Sequence, residues 1–85
     1  MNSKLEILKK KLIYRAGYRG TKEMDILLSS FVNKNINSFD ENLLNELDKF
    51  LSFDDEIIYN FYHNNVNEKY IEKNEVSKIF KKFKI

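Results

Sequence analysis

Arg19, Glu23 and Asp25 bring one cation and two carboxylates close together in the chain, and its only two glycines, Gly17 and Gly20, lie beside them. A guanidinium is a planar, permanently charged fork of five donors, suited to gripping a carboxylate or phosphate through two parallel hydrogen bonds. Glycine reaches positive φ without steric cost and lets another chain approach the backbone. The chemistry on offer is therefore recognition of a charged partner, not bond making. Tyr14, Arg15 and Tyr18 extend the stretch with further charge and with the amphipathic rings that are enriched at protein interfaces. A plainer reading stands beside this one. Arg19 is then a loop arginine, and Glu23 lies in the first turn of a helix, whose dipole stabilises a negative charge by about 0.3–1 kcal/mol.

Other chemistry is poorly provided for. There is no cysteine and a single histidine, His63, so a thiolate nucleophile, a cysteine zinc site and a Ser/His/Asp arrangement all lack their parts. Asp54-Asp55-Glu56 lacks the alternating oxygen ligands and central glycine of a calcium loop and reads as helix capping. No glycine-rich phosphate loop is present. The expectation is a protein with no catalytic residues, no metal and no tightly bound cofactor. Fifteen basic and thirteen acidic residues give a net charge of +2, with the signs mixed along the chain, unlike the basic face of a nucleic-acid binder. The exception is Lys78-Ile79-Phe80-Lys81-Lys82-Phe83-Lys84-Ile85, a basic amphipathic run that could meet RNA or a membrane surface but more often is the solvated face of a terminal helix. His63 reads as structural or merely exposed. No apolar run approaches the roughly 20 residues needed to cross a bilayer, so no membrane insertion is expected. The opening Met1-Asn2-Ser3-Lys4-Leu5-Glu6 enters a charged helical pattern at once, which predicts a soluble protein of the cytoplasm.

These residues need helices to hold them. At 85 residues the chain is read as one domain, 1–85, with one core. Ser3 and Glu6 form a capping-box pattern opening a helix over 3–16, with Leu5, Leu8 and Leu12 on one stripe. Gly17 is expected to end it in a left-handed conformation. Met24, Leu27, Leu28 and Phe31 recur at i, i+3, i+4 and i+7 and predict a helix over 21–34, capped by Gly20 or Thr21, with Asn33, Asn35, Asn37 and Ser38 weakening helical propensity and forming the exit loop. Further helices are predicted over 40–52, capped by Ser38 or Asp40, over 55–64, and over 74–83, capped by Asn74. The stretch from Val66 to Lys73 has no clean period and reads as a loop, with room for one helical turn around Tyr70 and Ile71. Five amphipathic segments and no strand pattern make an all-α, small five-helix bundle. None of the helices is long enough to persist alone, so the facing stripes must supply the stability, and truncating Leu28 or Phe31 to alanine should cost about 2–5 kcal/mol.

The corner also carries a resemblance. Lys11-Leu12-Ile13-Tyr14-Arg15, leading into Arg19-Gly20-Thr21-Lys22-Glu23-Met24-Asp25-Ile26-Leu27-Leu28-Ser29-Ser30-Phe31, is similar to the Arg-Gly-x-x-Glu region of the succinate dehydrogenase assembly factors, the SdhE type of bacteria and their mitochondrial counterparts. The likeness runs over roughly residues 5 to 83, carried beyond Phe31 by helix spacing and by Asn74-Glu75-Val76. Gly17 departs from it, standing where many relatives carry a larger residue. The resemblance implies a five-helix bundle and a non-enzymatic assembly factor. Such a protein binds the flavoprotein subunit of succinate dehydrogenase, or of fumarate reductase, and promotes covalent attachment of FAD to a histidine of that subunit, so that FAD belongs to the partner. It further implies that Arg19, Gly20 and Glu23 bind the partner, with Tyr18, Arg15 and Asp25 adjacent. A small basic helical module binding nucleic acid or another protein is the competing expectation.

Overall fold

The computed structural model describes residues 3–64, 71 and 74–84. The cap expected of the Ser3 side chain and the turn expected near Tyr70 lie outside the described residues. The helices are α1 (Ser3–Ala16), α2 (Lys22–Asn35), α3 (Glu41–Leu51), α4 (Asp55–Asn64) and α5 (Glu75–Lys82), and a 3-10 turn, Ile36–Ser38, follows α2. No strand occurs among the described residues, and the protein is an all-α bundle.

Three helices, α2, α3 and α5, start where a side chain can take an unpaired backbone N–H. Thr21 Oγ1 accepts from Met24 N at 3.2 Å, Asp40 Oδ1 from Leu43 N at 2.9 Å, and Asn74 Oδ1 from Ser77 N at 2.9 Å, with Ser77 Oγ accepting in turn from Asn74 N. Such caps are typically worth about 1 kcal/mol each. Glu46 of α3 adds an acceptor for Val76 N, so α3 also steadies the first turn of α5.

The exit from α2 differs from the loop expected there. The helix runs on to Asn35, whose side chain donates to the Phe31 carbonyl at 2.9 Å, and Ser38 Oγ then donates to the Asn35 carbonyl at 2.9 Å. Burial of Ile36 and Phe39 on either side explains why these weak helix formers stay ordered. Local propensity yields to tertiary packing.

α1 packs on α2 and α3, and α5 packs on α3 and α4. Leu12, Leu28, Phe31, Leu44, Leu47, Ile58, Val76 and Phe80 are fully buried where those faces meet. Phe80 is the hub of an aromatic group. Its ring lies 5.0 Å from Phe31, 4.9 Å from Phe50 and 5.0 Å from Tyr62, and the Tyr62 hydroxyl donates to the Phe83 carbonyl at 2.6 Å. The whole assembly holds the α1–α2 corner between two fixed supports, the end of α3 and the start of α4.

Candidate functional site

α1 ends at Gly17 by tightening, not by a left-handed turn. Gly17 N–H is shared between the Ile13 and Tyr14 carbonyls at 3.3 and 3.1 Å, and Tyr18 N–H reaches the Arg15 carbonyl. Neither glycine lies in the left-handed region, which corrects the conformation expected of Gly17. The reason is that the carbonyls left free at the end of α1 find other donors. Gly17 N–H takes two of them in the last turn, and Ser29 Oγ of α2 donates to the Ala16 carbonyl at 3.3 Å.

Arg19 is the centre of the corner, and its fork points inward. Nε donates to Asp55 Oδ1 at 2.6 Å, and the two terminal nitrogens donate to the Leu51 carbonyl at 2.9 Å and the Phe53 carbonyl at 2.8 Å. Its side chain is only 10% exposed. One residue therefore ties the α1–α2 corner to the last residue of α3, to the α3–α4 loop and to the first residue of α4. A hydrogen bond to a charged group in such a place contributes about 1.5–3 kcal/mol.

The backbone around it is bound in the same way. Asp55 Oδ2 accepts from Gly20 N at 2.6 Å, so one carboxylate holds both Arg19 and Gly20. Asp25 Oδ1 accepts from Arg19 N, which pins the turn from the α2 side. A Cβ placed on Gly20 would lie 3.0 Å from Asp55 Oδ2, whereas one on Gly17 would meet nothing closer than Ser29 Oγ at 3.5 Å. The closest approach at Gly20 is thus to this chain's own Asp55, whose carboxylate would have to shift for a larger residue.

Of the residues expected to meet a partner, Arg19, Gly20 and Asp25 are brought together as this internal clamp. Arg15 is drawn elsewhere, into an ion pair with Asp48 of α3. Tyr18 and Glu23 remain on the surface. Tyr18 is 72% exposed and its ring stacks on that of Tyr14, with centroids 4.3 Å apart. Glu23, in the first turn of α2, is exposed and forms no ion pair among the described residues. The expectation that Arg19 offers a free fork to another molecule is corrected by these contacts: its Nε and both terminal nitrogens already have acceptors within the chain.

Asp55, Asp48 and the two accepting carbonyls are what sequence reasoning missed. Asp55 reads only as a helix-capping acid in the sequence, and no periodicity links it to an arginine so far upstream. The remaining charged candidates are less prominent. His63 is exposed, its ring against Tyr59 at 4.3 Å and Tyr62 at 4.8 Å. In the basic C-terminal run, Lys81 donates to the Phe61 carbonyl and lies over the Phe61 ring, while Lys78, Lys82 and Lys84 face outward.

Fold and corner define a small all-α bundle fastened around an Arg-Gly-x-x-Glu turn. The chain belongs to the family described as flavinator of succinate dehydrogenase, whose family model matches residues 10–84. It is 44% identical over 55 residues to the mitochondrial succinate dehydrogenase assembly factor 2 of Scheffersomyces stipitis, a match covering 65% of this chain and 37% of that protein. It is 39% identical over 59 residues to the protein of the same name from Dictyostelium discoideum, covering 69% of this chain and 42% of that one. The aligned stretch is thus well under half the length of either relative. No solved structure matches the chain. Among the described residues no helix is long and apolar enough to cross a membrane.

Proposed function

We propose that this chain is a non-enzymatic assembly factor that binds the flavoprotein subunit of succinate dehydrogenase, or of fumarate reductase, and promotes covalent attachment of FAD to it. The observation that carries the reading is the family match over residues 10–84, which takes in the corner with Arg19, Gly20 and Glu23. The name of the family and the names of the two relatives support the same partner. FAD is the partner's cofactor in this reading, and this chain needs none of its own. The cytoplasm is the proposed setting, although both relatives are named as mitochondrial.

The corner suits that work by being rigid before the partner arrives. With Arg19 bonded to Asp55, Leu51 and Phe53, and its own N–H held by Asp25, the turn that carries Tyr18 and Glu23 has little freedom left to lose. Pre-organisation of this type lowers the ordering cost of association. Flavin attachment requires a histidine of the flavoprotein to be aligned with the flavin, and alignment of reacting groups is worth several kcal/mol. The helper contributes by binding the aligned conformer of the flavoprotein better than the others, since a ligand shifts an equilibrium only by that difference. Tyr18 and Glu23 supply the contact; Arg19, Gly20 and Asp25 supply the shape, with Arg15 anchoring α1 to α3.

The test is co-expression with the flavoprotein in a strain without its own helper, scored by in-gel flavin fluorescence. The wild-type chain should restore covalent flavin, Tyr18→Ala and Glu23→Ala should lower it with only a small drop in melting temperature, and Arg19→Ala should lower both strongly. Failure of the wild-type chain to raise labelling would refute the proposal.

A further inference from the structure

Beside the corner, the backbones of α2 and α4 stand apart, and an open seam runs between them. One section, a cavity of about 350 Å³, is lined by Glu23, Met24, Ile26, Leu27, Tyr59, Tyr62 and His63. The next, of about 360 Å³, shares Glu23, Met24 and Tyr59 with it and runs on to Thr21, Asp55 and Glu56. Its walls are apolar, with Ile26 48% and Tyr59 39% exposed. Its rim is acidic. Glu23 and Glu56 are both exposed and form no ion pair among the described residues, whereas Asp55, which also lines the groove, is paired with Arg19.

The clamp sets the width of this seam. Arg19 and Gly20 hold Asp55, the first residue of α4, while Thr21 and Glu23 open α2 directly after them. The Arg-Gly-x-x-Glu turn therefore both builds the groove, through Arg19 and Gly20, and lines it, through Glu23.

We propose that the α2–α4 groove is a second docking surface for the flavoprotein, taking an apolar or aromatic side chain carried on a lysine- or arginine-bearing segment of that partner. The apolar walls select the anchor, and the unpaired rim carboxylates select its basic flanks. This rests on the assembly-factor reading above and adds the site and the chemistry of the segment that fills it. A second copy of this chain is the competing occupant.

Purified flavoprotein is titrated with wild-type chain and with Tyr59→Ala, Ile26→Asp and Glu56→Lys, all at exposed positions outside the clamp, each variant first matched to wild type by circular dichroism and melting temperature. The expected result is a loss of affinity of about tenfold or more for Tyr59→Ala and Ile26→Asp. Glu56→Lys should slow association and flatten its dependence on salt. A photo-crosslinker in place of Ile26 should attach to a flavoprotein peptide that contains an apolar residue next to lysine or arginine. Wild-type affinity in all three variants would overturn the groove while leaving the assembly-factor reading in place. No binding of flavoprotein by the wild-type chain would overturn both. A dimer of this chain, dispersed by Tyr59→Ala in sedimentation and not displaced by flavoprotein, would assign the groove to self-association and overturn the proposal.

Discussion

Two parts of this molecule hold helices together by opposite means. Around Phe80 the fastening is apolar and shared: Phe31, Phe50 and Tyr62 all lie within about 5 Å of its ring, and each belongs to a different helix. At the α1–α2 corner it is polar and concentrated: one guanidinium and one carboxylate join three elements. Apolar contacts are non-directional, so the first region sets stability but fixes geometry only loosely. Charged hydrogen bonds are directional, so the second fixes the exact orientation of a surface turn. Stability and presentation are divided between the two.

Substitutions can break or sharpen that division. Phe80→Ala should have the largest effect, a loss of about 3–5 kcal/mol, because a fully buried ring leaves a cavity among helices that cannot close completely. Urea unfolding followed by circular dichroism measures it. Arg19→Ala should cost about 1.5–3 kcal/mol, since Asp55 loses its counter-charge and the Leu51 and Phe53 carbonyls lose a donor. A cost as large as that of Phe80→Ala would show that the corner, too, is part of the stabilising core. Gly20→Ala should cost about 1–3 kcal/mol, as the added Cβ presses on Asp55 Oδ2 and the carboxylate must retreat from both its donors. Gly17→Ala should be the mildest. It meets ordinary contacts at an unstrained φ, and a gain of about 0.4–1 kcal/mol is expected from the stiffer unfolded chain. The two glycines thus report separately on the clamp and on the helix end.

The same division explains what the sequence discloses. The all-α class, the apolar stripes Met24, Leu27, Leu28, Phe31 and Val76, Ile79, Phe80, Phe83, and the caps at Asn74 and at one member of each alternative pair, Thr21 and Asp40, all depend on neighbours within one or two turns. Periodicity expresses such relations directly. Asn35 and Ser38 mislead because their low propensity is overridden by the burial of Ile36 and Phe39. The corner's position is legible from Gly17, Arg19, Gly20 and Glu23. Its internal wiring is not, because Asp55 and the carbonyls of Leu51 and Phe53 come from a distant part of the chain and are brought in only by packing of α3 and α4. An arginine that faces inward and one that faces a partner look the same in a sequence.

The most direct measurement is a double-mutant cycle on Arg19 and Asp55, with stability of the isolated chain compared for wild type, Arg19→Ala, Asp55→Ala and the double variant. An internal clamp predicts a coupling of about 1–3 kcal/mol with no partner present. Additivity to within about 0.3–0.5 kcal/mol would contradict it and return the Arg19 fork to solvent, free to engage another molecule.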